Sequence, residues 1–174
     1  MLSLKGEQIY LRGLEPEDLD FLYQLENDPG IWEISGTTTP YSKHVLKLYL
    51  ENVHKDIYEV KQLRLCICNR EGTVLGLIDL FDFDPKNLRV GMGIIVSSKG
   101  ERNKGVGAEA IDILSKYTFS VLGMRQIYAN VLEDNAPSIH LFSKLGFEKV
   151  GIKKDWIYSG GTFKNEILFQ KIYS

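Results

Sequence analysis

Apolar positions in the first third of the chain predict one strand followed by two helices. The run QIYLRGL is typical of a short strand, and leucines recur at three-residue spacing in EPEDLDFLYQLEND, which predicts a helix that ends before Pro29. A Gly/Thr-rich link, SGTTTP, separates this helix from PYSKHVLKLYLENVHKDIYEV, where apolar residues again recur at helical spacing. The second segment predicts either one helix or a helix with a break in it.

Strand patterns dominate the middle of the chain. Three consecutive runs are rich in apolar and β-branched residues and are joined by the turn-like segments REG and DPKN. Because such short connections favour antiparallel neighbours, the pattern predicts a three-stranded meander. Its strands are QLRLCICN, TVLGLIDLFDF and LRVGMGIIVS.

Helices and strands alternate in the remainder of the chain. Residues 105–122 predict an amphipathic helix, and NAPSIHLFSKLG predicts a short helix that Gly146 terminates. A strand, RQIYANVLE, lies between them, and SGG is a hairpin turn between the last two strands. With no internal repeat, the pattern predicts one α/β domain of the α+β kind over residues 1–174.

Composition and charge limit the partners of this domain. The 174 residues are 44% hydrophobic, which is enough for one domain with a core of its own. Basic and acidic residues number 21 and 23 and are spread along the chain, so we expect no broad basic face for nucleic acid. No apolar run approaches a membrane span of about 18 residues, and MLSLKGEQIY lacks a secretory core, so we expect a cytoplasmic protein that does not bind membranes.

The cysteines and histidines do not suggest a metal or a disulfide. Cys66 and Cys68 lie two apart in a predicted strand, where Cα atoms on one face are about 6.6 to 6.8 Å apart with parallel Cβ vectors, a poor geometry for a disulfide. We expect both to be reduced core residues. The three histidines are scattered without ligand spacing, so we predict no metal site.

The stretch ERNKGVG, before the helix at 105–122, predicts an anion site. Glycines at positions 105 and 107 permit backbone conformations that turn successive N–H groups inward, and a helix N-terminus adds a favourable dipole. Together with Arg102 and Lys104, these groups suit a pyrophosphate. A solvated charge cluster on a glycine-rich loop is the alternative.

A dinucleotide site is a second interpretation of the same glycines. Gly105, Gly107 and Ala110 match G-x-G-x-x-A, and Glu133 at a strand end is placed to bind a ribose. The topology argues against it, because SSKGERNK separates the glycines from the strand and the chain ends in an antiparallel hairpin.

Two motifs together resemble the GNAT superfamily of N-acetyltransferases. RNKGVG follows the strand GIIVS, and NAPSIHLFSKLGF follows later at the expected interval, in the branch that holds bacterial spermidine acetyltransferases and ribosomal-protein N-terminal acetyltransferases. The resemblance implies a mixed, mostly antiparallel sheet of about seven strands with four flanking helices. It also implies direct transfer of an acetyl group from acetyl-CoA to a primary amine, and a homodimer, although no run of residues marks an interface.

The resemblance also implies which residues bind the acyl donor. Acetyl-CoA is expected in a cleft where the strand ending at Val96 separates from the strand 125–132, and an edge amide, that of Ile95, is expected to stabilise the tetrahedral oxyanion. Asn135 has an alternative role as a helix N-cap. The expected donor-binding residues are Ile94, Ile95, Val96, Arg102, Asn103, Lys104, Gly105, Val106, Gly107, Ala108, Asn135, Phe142 and Lys144.

Two catalytic positions depart from the family pattern. The strand glutamate that many relatives use as a base aligns with Gly91, and the tyrosine used as an acid aligns with Phe142, which has no proton to donate. A positioned acid contributes about 10²- to 10⁴-fold, so the departure predicts a slower enzyme. We predict Ser138, one helical turn before Phe142, as the replacement acid and Asp79 as the base. A catalytically weak acyl-CoA-binding module is the alternative.

The sequence gives weaker indications of the residues that bind the acceptor amine. We predict Glu33, Asp79 and Tyr158 as its binding residues, suited to a polyamine such as spermidine, another small amine, or a protein N-terminus with basic neighbours. An acidic mouth is one interpretation of the acids in this part of the sequence, and scattered surface acids are the alternative; they are Glu26, Asp28, Glu33, Asp79, Asp82 and Asp84. Gly91 and Gly93 weaken their strand unless a ligand or backbone passes close, so we expect a widened acceptor channel there.

Overall fold

Seven strands form a single sheet in the computed structural model, which describes residues 3–97 and 105–174. Along the sheet the strands lie in the order β1-β2-β3-β4-β5-β7-β6, numbered as they follow in the chain. Neighbours are antiparallel except β4 and β5, which are parallel. The strands are β1 (Ile9–Gly13), β2 (Leu63–Asn69), β3 (Val74–Asp84), β4 (Arg89–Val96), β5 (Gln126–Leu132), β6 (Glu148–Ser159) and β7 (Thr162–Ile172).

This topology confirms the predicted sheet. The meander is β2-β3-β4, and the SGG hairpin joins β6 to β7 with Ser159 opposite Thr162. Gly160 and Gly161 both have positive φ, as a two-residue hairpin turn requires. One parallel pair in an otherwise antiparallel sheet matches the mixed sheet expected from the resemblance.

Six α-helices lie among the described residues, where four were predicted. The additional ones come from two boundaries. Pro29 opens a helix instead of following one, because Asp28 caps it by accepting a hydrogen bond from the Gly30 N–H and proline fits the first turn. The second predicted segment is broken, since a new helix begins after Asp56. The helices are α1 (Leu19–Glu26), α2 (Pro29–Ser35), α3 (Lys43–Glu51), α4 (Ile57–Val60), α5 (Val106–Ser120) and α6 (Ala136–Lys144).

The helices cover the two faces of the sheet with separate apolar cores. On one face, Cys66 and Leu77 pack with leucines of α1 and α3 and with Ile31 of α2. On the other face, the core includes Ile111 of α5 and Phe142 of α6. A strand residue therefore points to one core or the other according to the period-2 alternation of its side chain.

The parallel pair β4-β5 separates part-way along its length. Its pairing covers Arg89 to Gly91 on β4 and Gln126 to Tyr128 on β5, and extends no further among the described residues. From Met92 onward, β4 keeps its antiparallel pairing with β3 on its other side. The two strands thus open a cleft at the carboxyl end of β4, and the sequence-based expectation of a separation here agrees with this geometry.

Candidate active site

A groove of about 460 Å³ occupies the cleft between β4 and the two helices α5 and α6. We call it the donor groove. Most of the predicted donor-binding residues line it: Ile94, Ile95, Val96, Gly105, Gly107, Ala108, Asn135 and Lys144. The groove is also lined by residues that were not predicted as donor-binding: Ile31, Ile34, Pro137, Ser138, His140 and Leu141.

The remaining predicted donor-binding residues lie elsewhere. Arg102, Asn103 and Lys104 fall outside the described residues. Val106 is buried in the core beneath α5, so its side chain does not line the donor groove. Phe142 lines a different cavity, described below.

Backbone conformation explains Gly105, and packing explains Gly107, at the start of α5. Gly105 has φ +82, which favours glycine, and it occupies the N-cap position, where it supplies no capping side chain to the first N–H groups of the helix. Gly107 lies inside the first turn, where a Cβ would lie 3.2 Å from Leu141 Cδ2 on α6.

A second cavity, of about 380 Å³, lies on the other side of the cleft, and we call it the acceptor cavity. Unlike the donor groove it is rich in charge. Four carboxylates and one guanidinium line it, from α1, α2, β2, β3 and β7: Glu26, Glu33, Arg64, Asp79 and Glu166. The excess of acids over bases gives the cavity a negative potential that favours a cationic ligand.

Arg64 links two of these carboxylates. Its Nε and Nη2 donate to Oδ1 and Oδ2 of Asp79 at 3.0 and 2.9 Å, and its Nη1 donates to Oε1 of Glu26 at 3.0 Å. The guanidinium also lies over the Tyr49 ring, 5.8 Å from its centroid. Burial alone would lower the pKa of Arg64. The charge and hydrogen bonds of Asp79, with smaller contributions from Tyr49 and Glu26, more than offset this effect, so the pKa is raised overall. Arg64 therefore stays charged and fixed in place.

Lysines hold the other two carboxylates. Lys164 pairs with Glu33 and with Asp134, and these hydrogen bonds raise the pKa of Lys164. Ser159 Oγ also donates to Glu33, at 3.1 Å, so α2 is attached to the β6-β7 hairpin. On the sheet, Lys153 of β6 pairs with Glu166 of β7 at 2.7 Å and donates to Asn130 of β5 at 3.1 Å.

Asn135 and Ser138 lie where the two cavities meet. Asn135 is the N-cap of α6, since its Oδ1 accepts the Ser138 N–H at 3.2 Å, so the capping role that we left open is present. Both residues line both cavities, as do Ile34, Ile94 and Ile95. The shared lining makes the donor groove and the acceptor cavity continuous at the opening of β4.

Phe142 is a core residue as well as part of the acceptor cavity. It is buried, and its ring contacts those of Phe147 and Phe169 at centroid distances of 5.0 and 6.4 Å. An aromatic ring at this position supports α6 against the sheet.

The structure corrects the expectation for Gly91. A Cβ at this position would lie 2.3 Å from Cε2 of Phe81, so the ring of Phe81 already fills the space. Phe81 in turn makes an edge contact with Tyr128. Gly93 does line the acceptor cavity, and a Cβ there would meet nothing closer than Phe81 Cε1 at 3.8 Å. Of these two glycines, only Gly93 lines the acceptor cavity and leaves it wider.

Tyr158 does not line the acceptor cavity, contrary to the expectation. Its side chain is 68% exposed and packs against Phe163, its cross-strand partner on β7. The strand β6 is irregular between Lys153 and Ile157, which changes which residues point inward. Ile157 lines the cavity in its place.

The dinucleotide interpretation is wrong. It needs repeated parallel βα units, whereas β4-β5 is the one parallel pair in the described sheet. Glu133, assigned there to a ribose, accepts a hydrogen bond from the Asn165 N–H at the base of the hairpin.

The cysteines are free and buried, as predicted. Burial, followed by the charge of Asp18, raises the pKa of Cys66 to about 12, and burial also raises the pKa of Cys68. In the described parts of the chain there is no cluster of three or more potential metal ligands, and no helix there is long and apolar enough to cross a membrane.

Comparison with protein families agrees with the geometry. The model of the acetyltransferase (GNAT) domain matches residues 8–148. The chain belongs to the GNAT acetyltransferase family. It is therefore an N-acetyltransferase.

Several characterised proteins resemble this family member. The spermidine N(1)-acetyltransferase of Escherichia coli K12 is 28% identical over 173 residues, which cover 97% of this chain and 89% of that protein. The human alpha/beta-tubulin-N-acetyltransferase 9 is 33% identical over 81 residues, 46% of this chain and 39% of that protein. The structure of Vibrio cholerae spermidine N-acetyltransferase with CoA and spermine has a TM-score of 0.85 at 23% identity, covering 96% of each chain, and shows the same fold.

Two charged members of the acceptor cavity were missed from the sequence. Arg64 and Glu166 lie on two different strands, and each has a charge typical of any solvated surface residue. Glu26, by contrast, was one of the acids expected near the acceptor, and it lines the cavity. Nothing local distinguishes the other two.

Proposed function

We propose that this N-acetyltransferase takes the acetyl group from acetyl-CoA and transfers it directly to a primary amine that carries further positive charge, such as a polyamine. One observation carries the proposal: a backbone-lined donor groove opens into an acid-lined cavity at Ile94, Ile95 and Ser138. The names of the spermidine acetyltransferase relatives support the choice of amine.

The donor side binds and activates the thioester. The N-terminus of α5 and Gly105 suit the pyrophosphate, and β4 suits the extended pantetheine arm, which can bond to strand amides. The Ser97 N–H bonds the Leu75 carbonyl, and Ile95 lies opposite Leu77 two residues earlier, so the alternation of the ladder directs the Ile95 amide to β3 and not to the cleft. The neighbouring Ile94 amide, which points to the cleft side, replaces it as our candidate for the oxyanion contact, worth about 3 to 4 kcal/mol in comparable acyl-transfer sites.

The acceptor side orients the amine. Carboxylates in the cavity attract the cationic substrate, and Glu33 and Glu166 give binding sites for charges remote from the reacting nitrogen. We assign to the hydroxyl of Ser138, which lines both cavities, a hydrogen bond to the departing CoA thiolate. A thiolate of pKa about 8.5 is already a fair leaving group, so this help need not be large.

The first experiment is ligand-dependent thermal unfolding with acetyl-CoA, CoA and NADH in parallel. A ligand at about 100 times its Kd adds about 2.7 kcal/mol of stability, so acetyl-CoA and CoA should raise the midpoint while NADH does not. Thiol release is then measured with spermidine, a monoamine and an N-terminal peptide. The high pKa values of Cys66 and Cys68 keep both buried thiols from contributing to this signal at neutral pH.

The expected result is turnover in the order spermidine, then peptide, then monoamine. Faster turnover of the peptide would replace the polyamine by a protein N-terminus. Stabilisation by acetyl-CoA without turnover of any amine would leave an acyl-CoA-binding module. A cytoplasmic location, expected from the hydropathy of the sequence, and a homodimer, expected from the resemblance, stay predictions.

Two departures favour the binding module: the absence of a tyrosine acid at Phe142 and of a strand glutamate at Gly91. Phe142→Tyr tests the first, since a large gain in rate would show that the missing acid limits the chemistry. An unchanged rate in an active enzyme would show that another group, or water, protonates the thiolate.

A further inference from the structure

We infer that Glu26 at the end of α1, with Arg64 as its positioning residue, is the proton acceptor for the amine, in place of Asp79. The inference rests on the proposed function and deepens it at the same site. It starts from the unequal hydrogen bonding of the two carboxylates that share Arg64.

Asp79 uses both oxygens on Arg64. Its bonds to Nε and Nη2 form a bidentate, charge-assisted pair, the strongest geometry available to a carboxylate and a guanidinium. Taking up a proton would neutralise Asp79 and weaken both bonds, and would leave the buried guanidinium less well paired. Asp79 is thus placed to hold Arg64.

Glu26 is bonded at one oxygen only. Oε1 accepts from Nη1 of Arg64, and Oε2 accepts no hydrogen bond from a residue in the described ranges. A proton can join Oε2 while the bond at Oε1 remains. Glu26 lines the acceptor cavity, with 15% of its side chain exposed.

The location of Glu26 supports a chemical role. It is the last residue of α1, where the helix dipole places negative partial charge and a carboxylate is unfavourable. The Arg64 bond offsets this cost. Arg64 is itself fixed by the Asp79 pair and the Tyr49 ring, so it sets the direction of the Glu26 carboxylate.

The proton balance of the transfer is complete with this assignment. As the nitrogen lone pair attacks the thioester carbonyl carbon, one ammonium proton passes to Glu26 Oε2 and the carbonyl π pair moves to oxygen. The intermediate then expels the CoA sulfur with the C–S electron pair, and the second proton from nitrogen reaches the thiolate through Ser138 or water. Glu26 finally releases its proton to solvent, giving the acetamide and CoA.

Other charged groups face Glu26 across the cavity. They are Arg64 on β2, Asp79 on β3, Glu33 on α2 and Glu166 on β7, with Tyr49 of α3 against the guanidinium. Their charges do not replace the acceptor, because Asp79 and Glu33 accept hydrogen bonds at both oxygens. Glu166 is bonded at one oxygen, but its partner is Lys153 and not Arg64.

The test compares Glu26→Gln with Asp79→Asn, each isosteric and each removing one carboxylate from Arg64. Glu26→Gln keeps an oxygen for Nη1 but cannot take a proton, so kcat with spermidine at neutral pH should fall by about 10²- to 10⁴-fold. Because this variant must use free amine, its deficit should shrink about tenfold per pH unit up to the amine pKa of about 10.4. Asp79→Asn should lose less, by a factor that does not change with pH.

Three further readings complete the test. An acceptor with an α-amino group, of pKa about 7.7 to 8.0, should suffer a smaller loss in Glu26→Gln than spermidine does. Binding of acetyl-CoA reports that each variant is folded. If Glu26→Gln does not fold, the wild-type profile decides, since kcat should be flat from pH 6 to 9, about the range in which a carboxylate is ionised and an alkylamine is protonated.

The outcomes separate this inference from the proposed function. No turnover of any amine by the wild-type enzyme sinks both. Two results with an active wild type would rule out Glu26 as the proton acceptor and keep the proposed acetyltransferase function. They are equal losses in the two variants with the same pH dependence, and a pH-dependent loss in Asp79→Asn alone. A wild-type kcat that rises tenfold per pH unit would also rule out Glu26 as the proton acceptor.

Discussion

The donor groove and the acceptor cavity share some lining residues but differ in the chemical groups that line them. Gly105, Gly107 and the β4 edge give the donor groove backbone N–H groups and small side chains. Charged side chains from five separate elements line the acceptor cavity, and cations hold each of its carboxylates. The donor side is suited to one constant ligand, whereas the acceptor side is suited to a ligand chosen by its charge.

This difference has a consequence for substitution. Backbone groups keep their positions when side chains change, so the donor groove is sensitive mainly at positions of special conformation or close packing. The acceptor cavity is sensitive at each charged residue, because removing one partner of a pair leaves the other uncompensated. Substitutions at five positions test this difference.

Ser138 lies on both walls, and its removal should have the largest effect. If its hydroxyl donates to the CoA thiolate, a hydrogen bond to a charged group worth about 1.5–3 kcal/mol is lost in Ser138→Ala. We expect kcat to fall about 10- to 100-fold with little change in either KM. Ser138→Thr keeps the hydroxyl and is the control. A rise in the KM for acetyl-CoA with kcat unchanged would instead assign Ser138 to donor binding.

Gly105 tests the backbone of the donor groove. Valine at φ +82 costs about 1–3 kcal/mol in strain, which the chain can relieve by moving the first N–H groups of α5. We expect the Kd for acetyl-CoA to rise about tenfold or more in Gly105→Val, measured by calorimetry, with the amine KM little changed.

Gly105→Asn is the matched control, because asparagine tolerates positive φ far better than valine. It should bind acetyl-CoA almost as the wild type does. Equal losses in the two variants would mean that any side chain, and not strain, obstructs the groove.

Gly91 and Gly93 form a matched pair on β4, of which only Gly93 lines the acceptor cavity. Alanine at position 91 must displace the Phe81 ring from Tyr128, and overpacking of this kind costs about 1–3 kcal/mol in the free energy of unfolding. Alanine at position 93 meets only ordinary contacts but adds a methyl group to the cavity. We expect Gly91→Ala to lower the thermal midpoint and Gly93→Ala to raise the amine KM at unchanged midpoint. A reversed pattern would return Gly91 to the acceptor channel.

Tyr158 should give the smallest effect. Its ring lies outside the acceptor cavity, and substitutions at such surface positions usually change free energies by less than about 0.5 kcal/mol. We expect Tyr158→Ser to leave kcat and the amine KM as they are in steady-state assays. A raised KM would restore this residue to the acceptor site.

Local patterns determined most of the sheet and most of the donor groove. Strand alternation and the SGG turn predicted the meander and the final hairpin, which the structure confirms. Gly105 and Gly107 at the start of α5, and Asn135 before α6, lie within short runs whose spacing is preserved when the chain folds. A site made of contiguous backbone can be predicted because its geometry is local.

Helix boundaries were less well predicted, for a local reason of their own. Proline both ends and begins helices, and at Pro29 the choice depended on the Asp28 side chain turning back to cap Gly30. The resulting α2 places Ile34 over the junction of the two cavities and Glu33 against Lys164.

Only the tertiary structure decided the acceptor cavity. Glu26, Arg64 and Asp79 are distant in sequence, and they meet because β2 pairs with β3 in a register that sets Arg64 opposite Asp79, beneath the end of α1. The register also sets Asp79 opposite Gly93, and an irregular β6 turns Tyr158 outward. A one-residue change in register would move these side chains to the other face, and strand pairing is a property of the whole sheet that no single segment contains.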